Sequence, residues 1–156
     1  MILRGRDHPA LPVSAEARAE IGPAAERSLA DDGGLAQFGV RLYRLDPGAR
    51  SSDRHWHERE DEFLYVLDGT ATVVDDAGPH DLGPGDACAW PAGEANGHHV
   101  VNRSHAPCSF LVVGTRAATD TVHYADIDKI RIRHEDGRED LIRRDGSPFV
   151  EPQQGD

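Results

Sequence analysis

The chain has 156 residues and a mass of 17.0 kDa, which is the size of one ordinary domain. Its 28 acidic and 17 basic residues give a formal charge of -11, so its long-range field repels phosphate backbones and anionic lipids. We therefore expect it to bind neither nucleic acid nor membranes. No apolar run is long enough for a membrane helix or a signal-peptide core, which predicts a cytoplasmic protein.

Residues 1–34 are rich in Pro and Ala and are predicted to form an N-terminal arm. Within the arm, Ser14 can cap a short helix that ends at Ile21, because Ala, Glu and Arg residues follow it. From Leu35 the apolar period changes to two and continues up to the turn signal at residues 46–48. This pattern predicts a half-buried strand.

Which face of that first strand points inward decides which of its side chains are buried. Phe38, Val40 and Leu42 alternate with polar or small residues, and we interpret them as the core-facing set. Arg41 and Tyr43 then face solvent. They would be substrate anchors only if their face pointed inward.

Further strand-like runs follow, with turn signals about ten residues apart. These runs are Glu62–Leu67, Thr70–Val74, Ala87–Trp90, His98–Val101 and Ser109–Thr115. Short strands at this spacing indicate an all-β sandwich or small barrel rather than a parallel βαβ fold. The sequence thus predicts a barrel over residues 35–116 and a C-terminal extension over residues 117–156, packed on the barrel or on a partner.

His55 and His57 are placed to bind a metal ion together. On an extended strand they project to the same face, which sets two imidazoles side by side. Glu62 has the opposite parity, but the charged segment 58–61 can turn the chain so that Glu62 opens the next strand. Two neighbouring antiparallel strands can then direct His55, His57 and Glu62 into one cavity.

A second block supplies a candidate fourth ligand. After a loop, His98 and Asn102 fall on one face of a new strand, while His99 points to the other. We favour His98 because it shares the parity of Asn102, although a β-bulge would reverse the choice in favour of His99.

The other polar and aromatic residues of this region are interpreted as structural. Trp90, His99 and Asn102 are expected to act as scaffold, and the acidic run of Glu58, Glu60 and Asp61 as a solvated turn. Five histidines without ligand spacing to the cluster are expected on the surface: His8, His80, His105, His123 and His134.

Together the two blocks resemble the motifs of the cupin superfamily. The first motif is similar to Gly48, six residues, His55-Trp56-His57, four residues, Glu62, six residues and Gly69; the second is similar to Gly85 through Asn102. One extra residue follows Gly48 and two extra residues precede His98, all in loops. The stretches HWHEREDEFLYVLDG, PAGEANGHH and VNRS are similar to a group of small bacterial single-domain cupins, some labelled sugar-phosphate isomerase-like.

The resemblance implies a double-stranded β-helix, that is, a jelly-roll cupin barrel, and a homodimer. It also implies a divalent metal ion held by His55, His57, Glu62 and His98. Three imidazoles and one carboxylate suit Fe, Mn, Ni, Co, Cu or Zn better than Mg or Ca.

Three functions fit this prediction, and the sequence does not name the catalytic residues. The first is a metal-dependent isomerase or epimerase that acts on a small polar or sugar-like molecule. The second is an Fe(II)-dependent dioxygenase, and the third is a non-catalytic binding or sensing module. A proton-transfer residue beside the metal would favour the isomerase, an all-apolar lining would favour the binding module, and a basic pair at the barrel mouth would indicate a phosphorylated substrate.

Overall fold

The structure, a computed structural model, describes residues 1–5 and 9–150. His8, one of the histidines expected on the surface, lies outside the described residues. Within the described ranges, none of the helices has the length and apolar character needed to cross a membrane. The two helices are α1 (Ala15–Ile21) and α2 (Leu29–Asp32). The strands are β1 (Leu11–Pro12), β2 (Ala24–Ser28), β3 (Phe38–Leu45), β4 (His55–His57), β5 (Glu62–Asp68), β6 (Ala71–Asp75), β7 (Gly78–Leu82), β8 (Ala87–Trp90), β9 (His99–Val101), β10 (Cys108–Thr115), β11 (Asp120–Tyr124), β12 (Ile130–Arg133) and β13 (Glu139–Ile142).

Three antiparallel sheets build the barrel. The large sheet has the order β1-β2-β3-β10-β5-β8, and the two smaller sheets have the orders β13-β12-β11-β4 and β7-β6-β9. The bridge between His55 and His98 joins the two smaller sheets, since the amide of each residue donates to the carbonyl of the other at 3.2 and 3.0 Å. This arrangement confirms the predicted all-β jelly-roll barrel.

The hydrophobic core lies between the large sheet and the β7-β6-β9 sheet. Phe110, Leu64 and Leu45 enter it from the large sheet, and Val73 and Val100 enter it from the small sheet. Each of these side chains is almost fully removed from water, which supplies the main driving force for closing the barrel.

The strands after residue 116 belong to the sheet that carries the histidine pair. β11 pairs with β4, and the register places Val122 opposite His57 and Tyr124 opposite His55. β12 and β13 then extend the same sheet. The segment predicted as a C-terminal extension thus contributes three of the four strands of this sheet.

Most of the predicted local elements are present. The helix after Ser14 is confirmed as α1, and the Ser14 hydroxyl accepts a hydrogen bond from the amide of Ala17 at 3.2 Å. The arm also contains an element that the sequence did not indicate, because Ala24–Ser28 forms strand β2 and pairs with residues 41–45 of β3.

The predicted orientation of β3 is wrong. Leu45 is fully buried, and Tyr43 packs against the same core, so the odd-numbered residues of the strand point inward. Arg41 shares that side and lines the interior cavity, whereas Phe38 lies on the outer side and is 38% exposed. The prediction failed because the inner face of this strand borders a polar cavity while the outer face carries the apolar side chains.

Asn102 is confirmed as scaffold. It is fully buried, and its side-chain amide donates to the carbonyls of Leu45 at 2.9 Å and Ala106 at 2.8 Å. Its side-chain oxygen accepts from the amide of Ser104 at 3.0 Å. These bonds tie the loop after β9 to the end of β3 with every polar atom of the amide satisfied.

Two glycines with a left-handed backbone allow a direct stability comparison. Gly69 has φ 74° and Gly48 has φ 83°, so an L side chain is strained at either position. A Cβ at Gly69 would lie 2.5 Å from the carbonyl oxygen of Pro107, whereas a Cβ at Gly48 meets nothing within 4 Å.

We expect Gly69→Ala to lower the free energy of unfolding by about 3 kcal/mol or more and Gly48→Ala by about 1 kcal/mol, because only the first adds a backbone clash to the strain. Urea denaturation of both variants measures the difference. Equal losses would show that the contact at Pro107 relaxes without cost.

Candidate metal centre

Four residues of the predicted metal site meet at the wall of one cavity. His55, His57 and Glu62 each present a ligand atom within 4.8 Å of the others. His98 joins them through its Nε2 atom, which lies 3.0 Å from a carboxylate oxygen of Glu62. The turn after β4 and the bridge to β9 therefore bring together side chains that are up to 43 positions apart in the sequence.

Backbone and carboxylate oxygens hold the outer nitrogen of each of the three imidazoles. The Nδ1 atom of His55 lies 2.8 Å from the carbonyl of Asp53, and the Nδ1 atom of His98 lies 2.9 Å from the carbonyl of Asn96. The Nδ1 atom of His57 lies 2.6 Å from a carboxylate oxygen of Asp120. Because these oxygens can only accept, Nδ1 carries the proton in the neutral ring and the lone pair of Nε2 is left for a metal ion.

This geometry fits a cation at the centre of the cluster. With Nδ1 as the donor, the neutral His98 ring presents a bare Nε2 to a Glu62 oxygen only 3.0 Å away, so two acceptors face each other. The Nε2 atom of His57 lies 4.0 Å from the same carboxylate oxygen. Ligand atoms bonded at about 2.1 Å to one ion lie about 3 to 4 Å from each other, so both separations suit a shared ion.

The structure separates His98 from His99. His98 is 4% exposed, stacks on Trp90 at 3.8 Å between ring centroids and contacts Glu62. The Nδ1 atom of His99 instead lies 2.9 Å from the carbonyl of Ser52. These contacts support the choice of His98 as the fourth member of the cluster.

Electrostatics keep the cluster in the protonation states that a ligand set requires. Burial lowers the pKa of His55, which favours the neutral ring at neutral pH. Burial acts to raise the pKa of Glu62, but the close approach of the His98 ring, and more weakly of the rings of His55 and His57, outweighs it, so the net pKa is lowered and the carboxylate is ionised.

A carboxylate from the C-terminal strands supports His57. Asp120, at the start of β11, is 3% exposed, and its second oxygen accepts from the amide of Arg59 at 3.0 Å. Glu60 lies on the same side of His57, with 3.7 Å between its carboxylate and Nδ1, and it pairs with Arg133. A buried acceptor that holds Nδ1 fixes both the tautomer and the direction of the imidazole.

The expectation of a solvated acidic turn is therefore wrong for one of its three residues, Glu60. Only 13% of the Glu60 side chain is exposed, because it accepts from the amide of Ala117 at 3.0 Å and pairs with Arg133. Asp61 is exposed, as expected, although it accepts from the amide of Ala92 at 2.8 Å and borders the cavity. Both carboxylates are held by partners that the sequence places 30 or more positions away.

A cavity of about 530 Å³ opens beside the cluster between the large sheet and the β11–β13 sheet. Four arginines line it: Arg41, Arg116, Arg131 and Arg133. Glu60 binds Arg133, and Asp31 binds Arg116, so two of the four are engaged in close ion pairs. Arg41 and Arg131 have looser partners, Glu26 at 3.3 Å and Glu139 at 3.9 Å.

Groups that can hold or move a proton also line the cavity. Tyr43 stacks on Phe110, and burial together with the charge of Glu26 raises its pKa to about 12, so its hydroxyl stays protonated. Tyr124 lies beside the cluster, with its ring centroid 5.8 Å from that of His55. Glu60 and Asp61 add two carboxylates to the same lining.

The histidines expected on the surface lie away from the cluster where the structure describes them. His123 stacks on Trp56 at 4.3 Å between centroids and contacts Glu58, and His134 contacts Asp140. His80 contacts Asp75. Within the described residues, none of these three lines the cavity.

Comparisons with known proteins define the class. A family model described as the cupin domain matches residues 41–114. A solved structure described as a sugar phosphate isomerase from a cupin superfamily, from Silicibacter pomeroyi DSS-3, is 42% identical, with 99% of this chain and 100% of that chain covered and a TM-score of 0.87. The chain belongs to the cupin superfamily.

Two other similar solved structures have different described activities from each other. One from Acidithiobacillus ferrooxidans, provisionally described as a sugar phosphate isomerase, is 25% identical over 90% of this chain and 96% of that chain, with a TM-score of 0.75. The polyketide cyclase RemF from Streptomyces resistomycificus is 30% identical over 74% of this chain and 78% of that chain, with a TM-score of 0.56. No curated protein matches the sequence.

Several residues that shape the cavity were missed from the sequence. Asp120, Tyr124, Arg131 and Arg133 lie in strands whose alternation is weak, and their approach to the cluster depends on the pairing of β11 with β4. Arg41 was considered but assigned to the wrong face. Leu45 could have indicated the correct face, because it is an apolar residue with the same parity as Arg41, and the structure buries it fully.

Proposed function

We propose that the protein is a metal-dependent isomerase or epimerase that acts on a small, phosphorylated, sugar-like molecule. The observation that carries the proposal is the placement of the histidine–carboxylate cluster, two loosely paired arginines and several proton-transfer groups in one cavity. The name of the Silicibacter pomeroyi relative, at 42% identity over nearly the whole chain, supports the same reaction class.

The cluster of His55, His57, Glu62 and His98 would hold the divalent ion. The three anchored imidazoles and the ionised carboxylate have the ligand chemistry of Mn, Fe, Co, Ni, Cu or Zn sites. Such an ion supplies a Lewis acid that polarises a carbonyl or hydroxyl group.

Arg41 and Arg131 are the proposed anchors for the phosphate. They extend from different sheets, β3 and β12, and both line the cavity. Their present partners are half-exposed carboxylates at 3.3 and 3.9 Å, which contribute little and can be exchanged for a phosphate. Guanidinium groups bind phosphate oxygens in bidentate geometry, so two of them can fix the far end of a small substrate.

The polar lining distinguishes an isomerase from a passive binding pocket. An isomerase must take a proton from one carbon and return it to the neighbouring carbon or oxygen. Glu60 and Asp61 offer carboxylates for this transfer, and the protonated hydroxyl of Tyr43 offers a hydrogen-bond donor. The aliphatic residues that an apolar binding module would need are few in this lining.

We expect the metal-loaded protein to exchange a carbon-bound hydrogen of an aldose or ketose phosphate for deuterium in D₂O, followed by NMR. Arg41→Ala and Arg131→Ala should each raise KM for the phosphorylated sugar about 10- to 100-fold, because each removes a charge-assisted contact. Neither should change binding of the unphosphorylated sugar. Arg138→Ala, which removes a cation from an exposed pair with Asp140, is the matched control and should behave as the wild type.

Two results would contradict the isomerase, and a third would contradict the phosphate anchors. Oxygen uptake with Fe(II) and a substrate panel, without deuterium exchange, would assign a dioxygenase. Saturable binding of a ligand that never exchanges or turns over would assign a binding module. Equal losses for phosphorylated and unphosphorylated sugars in the arginine variants would show that these residues do not bind phosphate.

A further inference from the structure

Arg54 directly precedes His55 and bonds to two other segments of the chain. Its Nε atom donates to the carbonyl of Gly97 at 3.1 Å, and Gly97 is the residue before His98. The backbone carbonyl of Arg54 accepts from the amide of Ala125, just after β11, at 2.9 Å. Arg54 thus joins the start of β4 to the chain on both sides of it.

The guanidinium group of Arg54 also forms two ion pairs. One terminal nitrogen lies 3.2 Å from a carboxylate oxygen of Asp126, and the other pairs closely with Asp76. Only 17% of the Arg54 side chain is exposed, whereas both carboxylates are more than half exposed. Because all three nitrogens of the planar group have partners, the group is fixed in one position.

The same network extends to the ring of His98. The carbonyl of Asn96 lies 2.9 Å from the Nδ1 atom of His98, and the side-chain oxygen of Asn96 accepts from the amide of Asp76 at 3.0 Å. The direction of the His98 imidazole therefore depends on a loop that Arg54 holds twice, directly at Gly97 and through Asp76.

His55 and His98 are joined by an isolated backbone bridge and not by a strand ladder. Their ring centroids lie 5.8 Å apart. Ligand atoms that share one ion must lie about 3 to 4 Å from each other, so a small change at the bridge alters the site. A side chain that bonds from the residue before His55 to the residue before His98 restrains this spacing.

The loop before His98 also packs closely against the residue that follows β11. A Cβ at Gly97 would lie 2.6 Å from the Cβ of Ala125, well inside the roughly 3.5 to 4.0 Å at which carbon atoms pack. The φ angle of Gly97 is not left-handed, so it is this contact that requires glycine here. The close approach lets the Gly97 carbonyl reach Arg54.

We propose that Arg54 is a positioning residue that sets the spacing of His55 and His98. It is not a ligand, and it acts through Gly97 and Asp76. Its ion pairs have exposed partners and contribute little to stability, so its effect is on the geometry of the cluster. The proposal rests on the metal centre of the proposed function but not on the isomerase reaction.

The first test uses Co(II) as the probe. Arg54→Met keeps the aliphatic stem and removes every donor, so it should lower Co(II) affinity about 10- to 100-fold and change the visible spectrum of the bound ion. Arg54→Lys keeps the charge without the planar group and should recover part of the affinity. The matched control is Arg50→Met, which removes a guanidinium paired with Asp53 and should bind Co(II) as the wild type does.

A methyl exchange tests the packing independently. Gly97→Ala should also weaken Co(II) binding about 10-fold, because the added methyl pushes the loop away from Ala125 and from Arg54. The double variant Gly97→Ala/Ala125→Gly removes the 2.6 Å contact and leaves 3.6 Å to Arg54 as the nearest approach, so it should restore most of the affinity. A double variant as weak as Gly97→Ala would contradict the role of this contact.

Hydrogen exchange in the metal-free protein separates this proposal from the proposed function. In Arg54→Met the amides of His55 and His98 should exchange about 10-fold faster or more, while those of Leu64 and Val66 in the core keep the wild-type rate. If the wild type binds no metal, the proposed function fails, and faster exchange at the bridge still supports the role of Arg54. Unchanged exchange at the bridge, an equal increase at all four amides, or wild-type Co(II) affinity and spectrum in Arg54→Met would overturn the proposal.

Discussion

His55→Ala, Glu62→Gln and His98→Ala should each lower the affinity for a divalent transition metal by about 100- to 1,000-fold. Each variant removes one of four ligands, and four-ligand structural Zn²⁺ sites bind with an apparent free energy of about 10 to 16 kcal/mol, or about 3 to 4 kcal/mol per ligand. Titration against a chromophoric chelator measures the affinity, and the metal content after dialysis gives the stoichiometry.

The matched control for these variants is His99→Ala. His99 lines the same cavity and is the next residue after His98, but its Nδ1 atom lies against the carbonyl of Ser52 and not against Glu62. We expect His99→Ala to keep the affinity of the wild type. A loss in His99→Ala with no loss in His98→Ala would show that the wrong histidine was chosen.

Asp120→Asn should lower metal affinity by about 10- to 100-fold while the protein remains folded. The Asp120 carboxylate can only accept a hydrogen bond, so it keeps the proton of His57 on Nδ1. The amide of asparagine can instead donate to Nδ1, which moves the proton to Nε2 and blocks the atom that faces the cluster. Asp120→Glu, which keeps the charge, should recover part of the affinity.

The measurement on the Asp120 variants must distinguish a role in orienting the His57 imidazole from a role in the stability of the fold. The visible spectrum of the Co(II)-substituted protein reports the coordination of the metal, and a merely structural role would leave that spectrum unchanged. Asp140→Asn is the matched control, because Asp140 makes a similar contact at 2.9 Å with His134 on the surface. Equal Co(II) spectra for Asp120→Asn and the wild type would contradict the positioning role.

Local patterns in the sequence predicted much of the fold. Period-two alternation located β5, β8 and β10 to within a residue or two, and Ser14 marked the start of α1. The spacing of His55, His57, Glu62 and His98 was sufficient to group them, because strand parity and one turn decide which of them share a face. Their role as metal ligands stays a prediction.

The rest depends on contacts between distant parts of the chain. Whether Arg41 faces the cavity depends on what covers each side of β3, and its own alternation cannot reveal that. Asp120 reaches His57, and Arg131 reaches the cavity, only because β11 pairs with β4, about 65 positions earlier in the chain. Likewise, the local sequence predicts a solvated Glu60, because it does not show that the chain brings Arg133 into an ion pair with it.

Anomalous diffraction across the metal absorption edges, on protein purified without a histidine tag, tests the central claim most directly. We expect one transition metal per chain, within bonding distance of the Nε2 atoms of His55, His57 and His98 and of the carboxylate of Glu62. An anomalous peak located elsewhere, or a protein that takes up no transition metal under saturating conditions, would contradict the account.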